Sequence, residues 1–191
     1  MSATIEIKTD RLVLRPVAPE HCDRFVAGLN EWDVVKNLSH PPYPYAVADF
    51  EAFQAKQAKG FGAGTDLAFA IHVAGTEAIG CVGLHRRDEG ADAEGSWEMG
   101  YWLAKSYWGR GFATEAGEAL LQWFTARHPG ERIKSSHFED NDTSGRVLTK
   151  LGFAYTGEML TIQCVARGVP VKSRAMTYAP KTTAPTWEER P

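Results

Sequence analysis

The sequence predicts a mixed α+β fold in one domain, and three observations carry that prediction. The apolar period changes repeatedly between two and about three and a half residues, giving strands and helices interleaved. The chain has 191 residues, 43% hydrophobic and 24% charged, which suits a single soluble core. No internal repeat or linker divides it, so one domain is expected over residues 1–180, with a tail at 181–191.

The elements follow in order. "RLVLRPV" sets Leu12 and Leu14 against Arg11, Val13 and Arg15, a half-buried strand. "APEHCDRFVAGLN" is a short helix with Pro19 and Glu20 at its start and Asn30 near its end, and "EWDVVKN" a second. "SHPPYPY" is a loop, because proline neither joins a ladder nor continues a helix. "VADFEAFQAKQAKG" is a helix expected to stop at Gly60. "DLAFAIHVAG" and "EAIGCVGLHRR" form a hairpin around "AGTE", and "GSWEMGYWLA" adds a strand.

After "SYWGRGF", residues Ala113, Ala116, Gly117, Leu120 and Phe124 recur at helical spacing, with Glu115, Glu118 and Gln122 on the other face. Small residues on the inner face permit close approach to a sheet. "RIKSSHF" is a strand; "NDTSGRVLTKLG" is a helix capped by Asn141 or Asp142 and closed by Gly152. "FAYTGEMLTIQCVARG" and "VPVKSRAMTYA" make a hairpin about Gly168, and the residues from Pro180 are expected to fray. The strand–helix–strand unit from Trp97 to Phe138 should place two strands in parallel.

Composition narrows the function. A formal net charge of −3 argues against a protein that grips a nucleic-acid backbone. Cys22, Cys81 and Cys164 are scattered and odd in number. They suggest neither a disulfide framework nor a metal site, and they fit a reducing cytoplasm. No apolar run approaches the ~18 residues of a membrane span, so no membrane partner is expected.

The turn "SYWGRGFATEA" opens a helix with two glycines around an arginine. It lacks the Lys-Ser/Thr of a P-loop. Thr114 stands where a dinucleotide fingerprint needs its third glycine, and "AKSYW" separates the turn from its strand. What fits is a pyrophosphate cradle: the amides of Arg110 to Thr114 at the positive end of a helix. Gly109 and Gly111 would clear space there, and Arg110 would add charge. A tight turn with a capped helix explains the same residues.

Neighbouring motifs decide between these. "WEMGYWLAKSYWGRGFATEA" followed at a distance by "NDTSGRVLTKLGF" resembles the GNAT acyltransferase family, in the branch with ribosomal-protein N-terminal acetyltransferases. "TDRLVLRPV", "AIGCVGL" and "ARGVPVKSRAMTYA" extend the resemblance over most of the chain. Gly109 and Gly111 match the family's loop; Ser106 departs from its usual Gln or Arg.

The resemblance implies a mixed, mostly antiparallel sheet flanked by helices and splayed between two parallel strands, near Met99–Leu103 and Ile133–Phe138. It implies acetyl-CoA as donor, with pantetheine in the gap. Gly100, Tyr101, Trp102 and Leu103 would then line that gap, and Gly109, Arg110, Gly111, Phe112, Ala113 and Thr114 would hold the pyrophosphate. An amide of the earlier strand would hold the thioester oxygen. Asn141 and Ser144 match the second contact motif: Asn141 for the pantetheine arm, Ser144 near the sulfur to protonate the leaving thiolate. The same two residues also suit a helix cap. No tyrosine lies on the later helix, where many members carry one.

Transfer to an amine needs a neutral nitrogen. Near pH 7 about a tenth of α-amines are neutral, against fewer than about one lysine in a thousand. An α-amine therefore asks little of a base. Glu98, on the strand entering the cofactor loop, is the first candidate, although a solvated carboxylate reads the same way. His85 and His137 come after it. Gln163 is neutral, which weakens a two-carboxylate mechanism. Trp32, Tyr43 and Tyr45 among Pro41, Pro42 and Pro44 would form an aromatic wall for the acceptor or pack onto the sheet. The expected activity is direct N-acetyl transfer to a peptide N-terminus or small amine by a monomer or homodimer. A non-catalytic acyl-CoA-binding or interaction module is the alternative.

Overall fold

The computed structural model describes residues 5–73, 75–87 and 95–179. Within them an eight-stranded sheet runs in the order β1-β2-β3-β4-β5-β6-β8-β7. The strands are β1 (Ile7–Lys8), β2 (Leu12–Pro16), β3 (Asp66–Val73), β4 (Ala78–Arg87), β5 (Ser96–Leu103), β6 (Ile133–Phe138), β7 (Phe153–Cys164) and β8 (Val169–Tyr178). All pair antiparallel except β5 and β6, which lie parallel as the intervening helix requires.

Helices cover both faces. A short 3₁₀ turn (Pro19–His21) leads into α1 (Cys22–Leu29), followed by α2 (Trp32–Val35) and α3 (Val47–Ala63); α4 (Phe112–Thr125) and α5 (Asp142–Lys150) come later. On the α4 face, Trp97 meets Phe124 edge-on at 4.8 Å between centroids, and Leu120 and Phe124 are 0% exposed. Burial of each such side chain contributes about 1.5–3 kcal/mol. Gly117 lets α4 approach closely: a methyl there would sit 2.7 Å from Leu151 Cδ1 and 3.0 Å from Met99 Cε. On the opposite face, Phe25, Leu29, Phe50 and Tyr45 form a second cluster, against which Trp102 packs.

One expectation is corrected. The third helix runs through Gly60 and ends at Gly64, whose φ of 71° supplies the left-handed cap. Gly60 serves space instead, because the side chain of Asp66 packs where its Cβ would be. Strand β1 is an addition, two residues long and pairing with β2. The fraying expected from Pro180 lies outside the described residues. No described helix is long and apolar enough to cross a membrane.

A buried histidine pair gives the fold a pH dependence. His21 Nδ1 accepts from the Ala18 N–H at 3.0 Å, and His21 and His72 bring their Nε2 atoms to 3.2 Å. His72 Nδ1 lies 3.2 Å from the Thr76 carbonyl. Neutral rings satisfy this chain: His72 donates to Thr76, and His21 donates to His72. Burial, helped by His72 and Arg15 and opposed by Glu20, holds His21 below the ordinary histidine range. The unfolded chain therefore takes up the proton first as pH falls through about 6.5, and stability drops. Thermal melts between pH 7.5 and 5.5 should show Tm falling as the pH is lowered. His72→Gln should flatten that slope; an equally steep slope would remove the pair as its source.

Candidate functional site

The parallel pair forms for two steps only, Trp97↔Ile133 and Glu98↔Lys134. Trp97 N–H donates to the Arg132 carbonyl at 2.8 Å. At the next step Ser135 Oγ donates to the Met99 carbonyl at 2.9 Å, replacing a backbone bond. Beyond it the strands part, while β4 continues to pair with β5 as far as Leu103. Strand alternation turns the N–H and C=O of Tyr101 into the opening. A cleft of about 410 Å³ fills it, walled by β5, the glycine turn and α5.

The turn makes one end of that cleft electropositive. Gly109 and Gly111 have φ of 74° and 79°, a region that non-glycine residues avoid. Among the described residues a Cβ at Gly109 would meet nothing and one at Gly111 only the Arg11 guanidinium, at 3.4 Å, so conformation more than space demands glycine. Gly111 caps α4, and the first intrahelical bond runs from Glu115 N–H to the Gly111 carbonyl at 3.0 Å. The amides of Phe112, Ala113 and Thr114 lie before that bond, free to converge on an anion.

Arg11 fastens this corner. It donates to the Arg110 carbonyl at 3.0 Å and pairs with Glu115 at 2.6 Å, and Thr9 Oγ1 donates to the same carboxylate at 2.5 Å. Glu115 is thus a structural anchor as well as an outer-face residue. The Arg110 guanidinium lies 4.7 Å from the Phe112 ring centroid. Arg146 and Lys150 supply cations on the α5 wall. Ser106 is exposed and outside the cleft lining.

Asn141 caps α5, its Oδ1 accepting from the Ser144 N–H at 3.2 Å. The Tyr101 hydroxyl crosses from β5 to Ser144. It donates to the Ser144 carbonyl at 3.1 Å and lies 2.8 Å from Ser144 Oγ. Burial, partly offset by the Ser144 bond, pushes the phenol up to about 12, so it stays protonated at neutral pH. Ser144 on the later helix is thus met by a tyrosine hydroxyl from the strand.

A second cleft of about 330 Å³ opens on the other face, among α1, α3 and strands β3 to β5. Leu38, Tyr101 and Trp102 line both clefts. The Phe25 ring stands edge-on to Trp102 at 5.1 Å, with Leu29, Tyr45 and Phe53 completing an apolar wall. Polar groups sit along one cross-strand row, Asp66↔His85↔Glu98. His85 Nδ1 is 2.9 Å from Asp66 Oδ1, and Glu98 Oε2 accepts from Arg87 Nε at 2.7 Å. Burial outweighs Asp66 and lowers the His85 pKa below the ordinary histidine range. Gln57 is 3% exposed, and its Oε1 has no partner among the described residues.

The remaining candidates lie elsewhere. Trp32 and Tyr43 pack edge-on against each other at 5.3 Å, are 45% and 48% exposed, and line neither cleft. His137 is buried between Tyr155, 3.0 Å from Nε2, and the Phe138 carbonyl, 2.9 Å from Nδ1. It too lines neither cleft. Sequence reasoning missed Arg87 and Gln57 in the second cleft, Asp66 behind its His85, and Arg11, Arg146 and Lys150 around the first. Lys150 and Arg146 were readable as a basic helix face; Asp66 was legible only through strand register.

Comparison with known proteins agrees with this architecture. A family model described as an acetyltransferase (GNAT) domain matches residues 11–154. The uncharacterized N-acetyltransferase YoaA of Bacillus subtilis (strain 168) is 26% identical over 155 residues, 79% of this chain and 84% of that protein. Among solved structures, the microcin C7 self-immunity acetyltransferase MccE, in complex with acetyl-CoA and AMP, superposes with a TM-score of 0.75. It is 20% identical, over 90% of this chain and 93% of its own. RimL, a ribosomal L7/L12 α-N-protein acetyltransferase solved with CoA, gives a TM-score of 0.76 at 19% identity, over 91% and 97%.

Proposed function

With residues 11–154 matching that model, this chain belongs to the GNAT acetyltransferase family, and from this premise we propose direct transfer of the acetyl group of acetyl-CoA to a primary amine. The observation that carries the proposal is the meeting of two clefts from opposite sheet faces at Tyr101 and Trp102, where β5 leaves β6. One cleft offers helix-start amides and cations for a pyrophosphate, and an open strand edge for the amides of pantetheine. The other offers an apolar pocket with a carboxylate and a histidine for an amine. Two entrances to one point suit a ternary complex, with no acyl-enzyme between. MccE was solved with acetyl-CoA and RimL with CoA, which supports the choice of donor.

In this reading the amides of Phe112 to Thr114 bind the pyrophosphate, and Arg110, Arg146 and Lys150 add charge. Asn141 meets the pantetheine arm. Tyr101 turns its amide toward the thioester oxygen, while its hydroxyl and Ser144 Oγ supply the proton for the leaving sulfur. Glu98, tethered to Arg87, draws an ammonium to the mouth of the second cleft. Gln57 Oε1 accepts a further N–H or O–H from a polar acceptor. RimL is described as acting on a protein α-amine, and an α-amine needs the least help to become neutral, so a peptide N-terminus is the favoured acceptor class. Three free thiols suit a reducing cytoplasm.

The test is thiol release from acetyl-CoA across a panel of short peptides, amino acids, polyamines and aminoglycosides. Turnover of at least one amine is expected. Acetyl-CoA binding with no turnover anywhere would favour a non-catalytic binding module. Glu98→Gln should raise the amine KM about two- to five-fold, as a half-exposed charge would. Its effect on kcat should be smaller, and a fall in kcat greater than the rise in KM would remove this role.

A further inference from the structure

We propose that His85 is the general base that deprotonates the acceptor amine, with Asp66 and Gly60 positioning it; this rests on the acetyltransferase reading above. Asp66 Oδ1, 2.9 Å from Nδ1, fixes the proton on that nitrogen and leaves the Nε2 lone pair free. Asp66 is itself held, since Thr65 Oγ1 donates to its Oδ2 at 3.3 Å. A glycine inside the 17-residue helix α3 is unfavourable in isolation, and Asp66 is what it makes room for. A methyl at Gly60 would lie 2.5 Å from Asp66 Cβ.

The free nitrogen reaches over Gly83 within the second cleft. His85 Nε2 lies 3.3 Å from where a Gly83 Cβ would be, and Gly83 stands opposite Gly100 across the β4–β5 ladder. Among the described residues a Cβ at Gly100 would meet nothing. The missing side chain at the buried Gly83 thus leaves room for the imidazole, Gly100 across from it is exposed, and His85, Gly100 and Tyr101 line the same cleft. The rival carboxylate is differently placed: Glu98 is 39% exposed and already bound to Arg87.

The charged groups around the imidazole are Asp66 on β3, Arg87 on β4, Glu98 on β5, His40 in the preceding loop and Lys56 on α3. Burial keeps the ring neutral near pH 7, ready to accept, and Asp66 stabilises it once charged. The protons balance. An ammonium gives one to His85 Nε2; its lone pair then forms the N–C bond at the thioester carbonyl. When the C–S bond breaks, the electron pair leaves with sulfur. Of the two protons still on nitrogen, one passes to the thiolate through Tyr101 and Ser144, and one remains on the amide. His85 returns its proton to water.

The experiment measures kcat/KM against pH for the full chain and for three variants, with the fastest amine of the panel. Acetyl-CoA affinity is measured in parallel by calorimetry. His85→Gln should lower kcat at least about tenfold for an α-amine, and more for a more basic amine, and replace the histidine limb of the profile by that of the amine itself, with acetyl-CoA affinity within about twofold. Asp66→Asn should cost about tenfold and Gly60→Ala about three- to tenfold, each displacing the histidine limb. If His85→Gln fails to fold, Asp66→Asn and the ¹⁵N shifts of the unmodified protein decide. A neutral ring at pH 7 with the proton on Nδ1 supports the assignment; a proton on Nε2 overturns it. Normal acetyl-CoA binding with kcat/KM of His85→Gln or Asp66→Asn above a third of the original overturns the base alone. Absence of acetyl-CoA binding, or of any amine turnover, in the unmodified protein overturns the acetyltransferase reading and the base with it.

Discussion

Gly111→Trp should weaken acetyl-CoA binding by at least about 100-fold while leaving the protein folded. The effect has two parts. At a φ of 79° any side chain is strained, at a cost of roughly 1–2 kcal/mol, and the turn shifts to relieve it. The indole also occupies the mouth of the three amides that begin α4, where an anion would sit. Folding should survive because α4 is held beyond the turn by its buried Ala116, Leu120, Leu121 and Phe124 and by the Thr9 bond to Glu115, while among the described residues the atom nearest a new Cβ is Arg11 Nη2, at 3.4 Å. Gly111→Ala separates the parts, carrying the strain without the bulk, and should cost only about three- to tenfold. Calorimetry with acetyl-CoA reads both variants. Unchanged affinity in Gly111→Trp would end the assignment of this turn to the pyrophosphate.

Tyr101→Phe should lower kcat about ten- to a hundredfold with little effect on acetyl-CoA affinity. A positioned acid typically contributes about 10²–10⁴-fold, and a thiolate is a good leaving group, so the low end applies. The hydroxyl is suited to donate because burial keeps it protonated and because its 2.8 Å contact joins it to Ser144 Oγ. Acting as one relay, the two should be strongly non-additive: Tyr101→Phe with Ser144→Ala should be little worse than the poorer single variant. Full additivity would mean two separate roles. Stability should change by less than about 1.5 kcal/mol, the worth of one hydrogen bond, so melting curves separate a catalytic loss from a folding one.

The sequence disclosed those features whose cause is local. Alternation at Leu12 and Leu14 and helical spacing from Ala113 to Phe124 report burial directly, and both elements stand where expected. The double glycine reports backbone conformation, and it is indeed the turn that opens α4. Features with a distant cause were hidden. Gly60 inside a helix looks the same whether it ends the helix or admits a neighbour, and only the position of Asp66 separates the two. His85 looked like a lone strand histidine because Asp66 is 19 residues away and meets it only in register. Tyr101 was expected to line a gap, but its reach to Ser144, 43 residues on, depends on how far β5 and β6 diverge. In the aromatic loop, Tyr45 is 5% exposed and Tyr43 is 48% exposed, a difference set by tertiary packing that the composition of "PPYPY" does not encode.

Strand β8 has a consequence for how the molecule is made. It lies between β6 and β7, pairing with both, although it is the last of the described strands to be synthesised. While a ribosome is still extending the chain, β6 has only its two-step contact with β5 on one side, and its other edge stays open until Tyr178 has emerged. The half of the protein that carries α4 and its glycine turn can therefore condense early, and the other half waits as an unpaired edge. Stalled or prematurely ended chains would expose that edge, the kind of surface that chaperones hold and that aggregates extend.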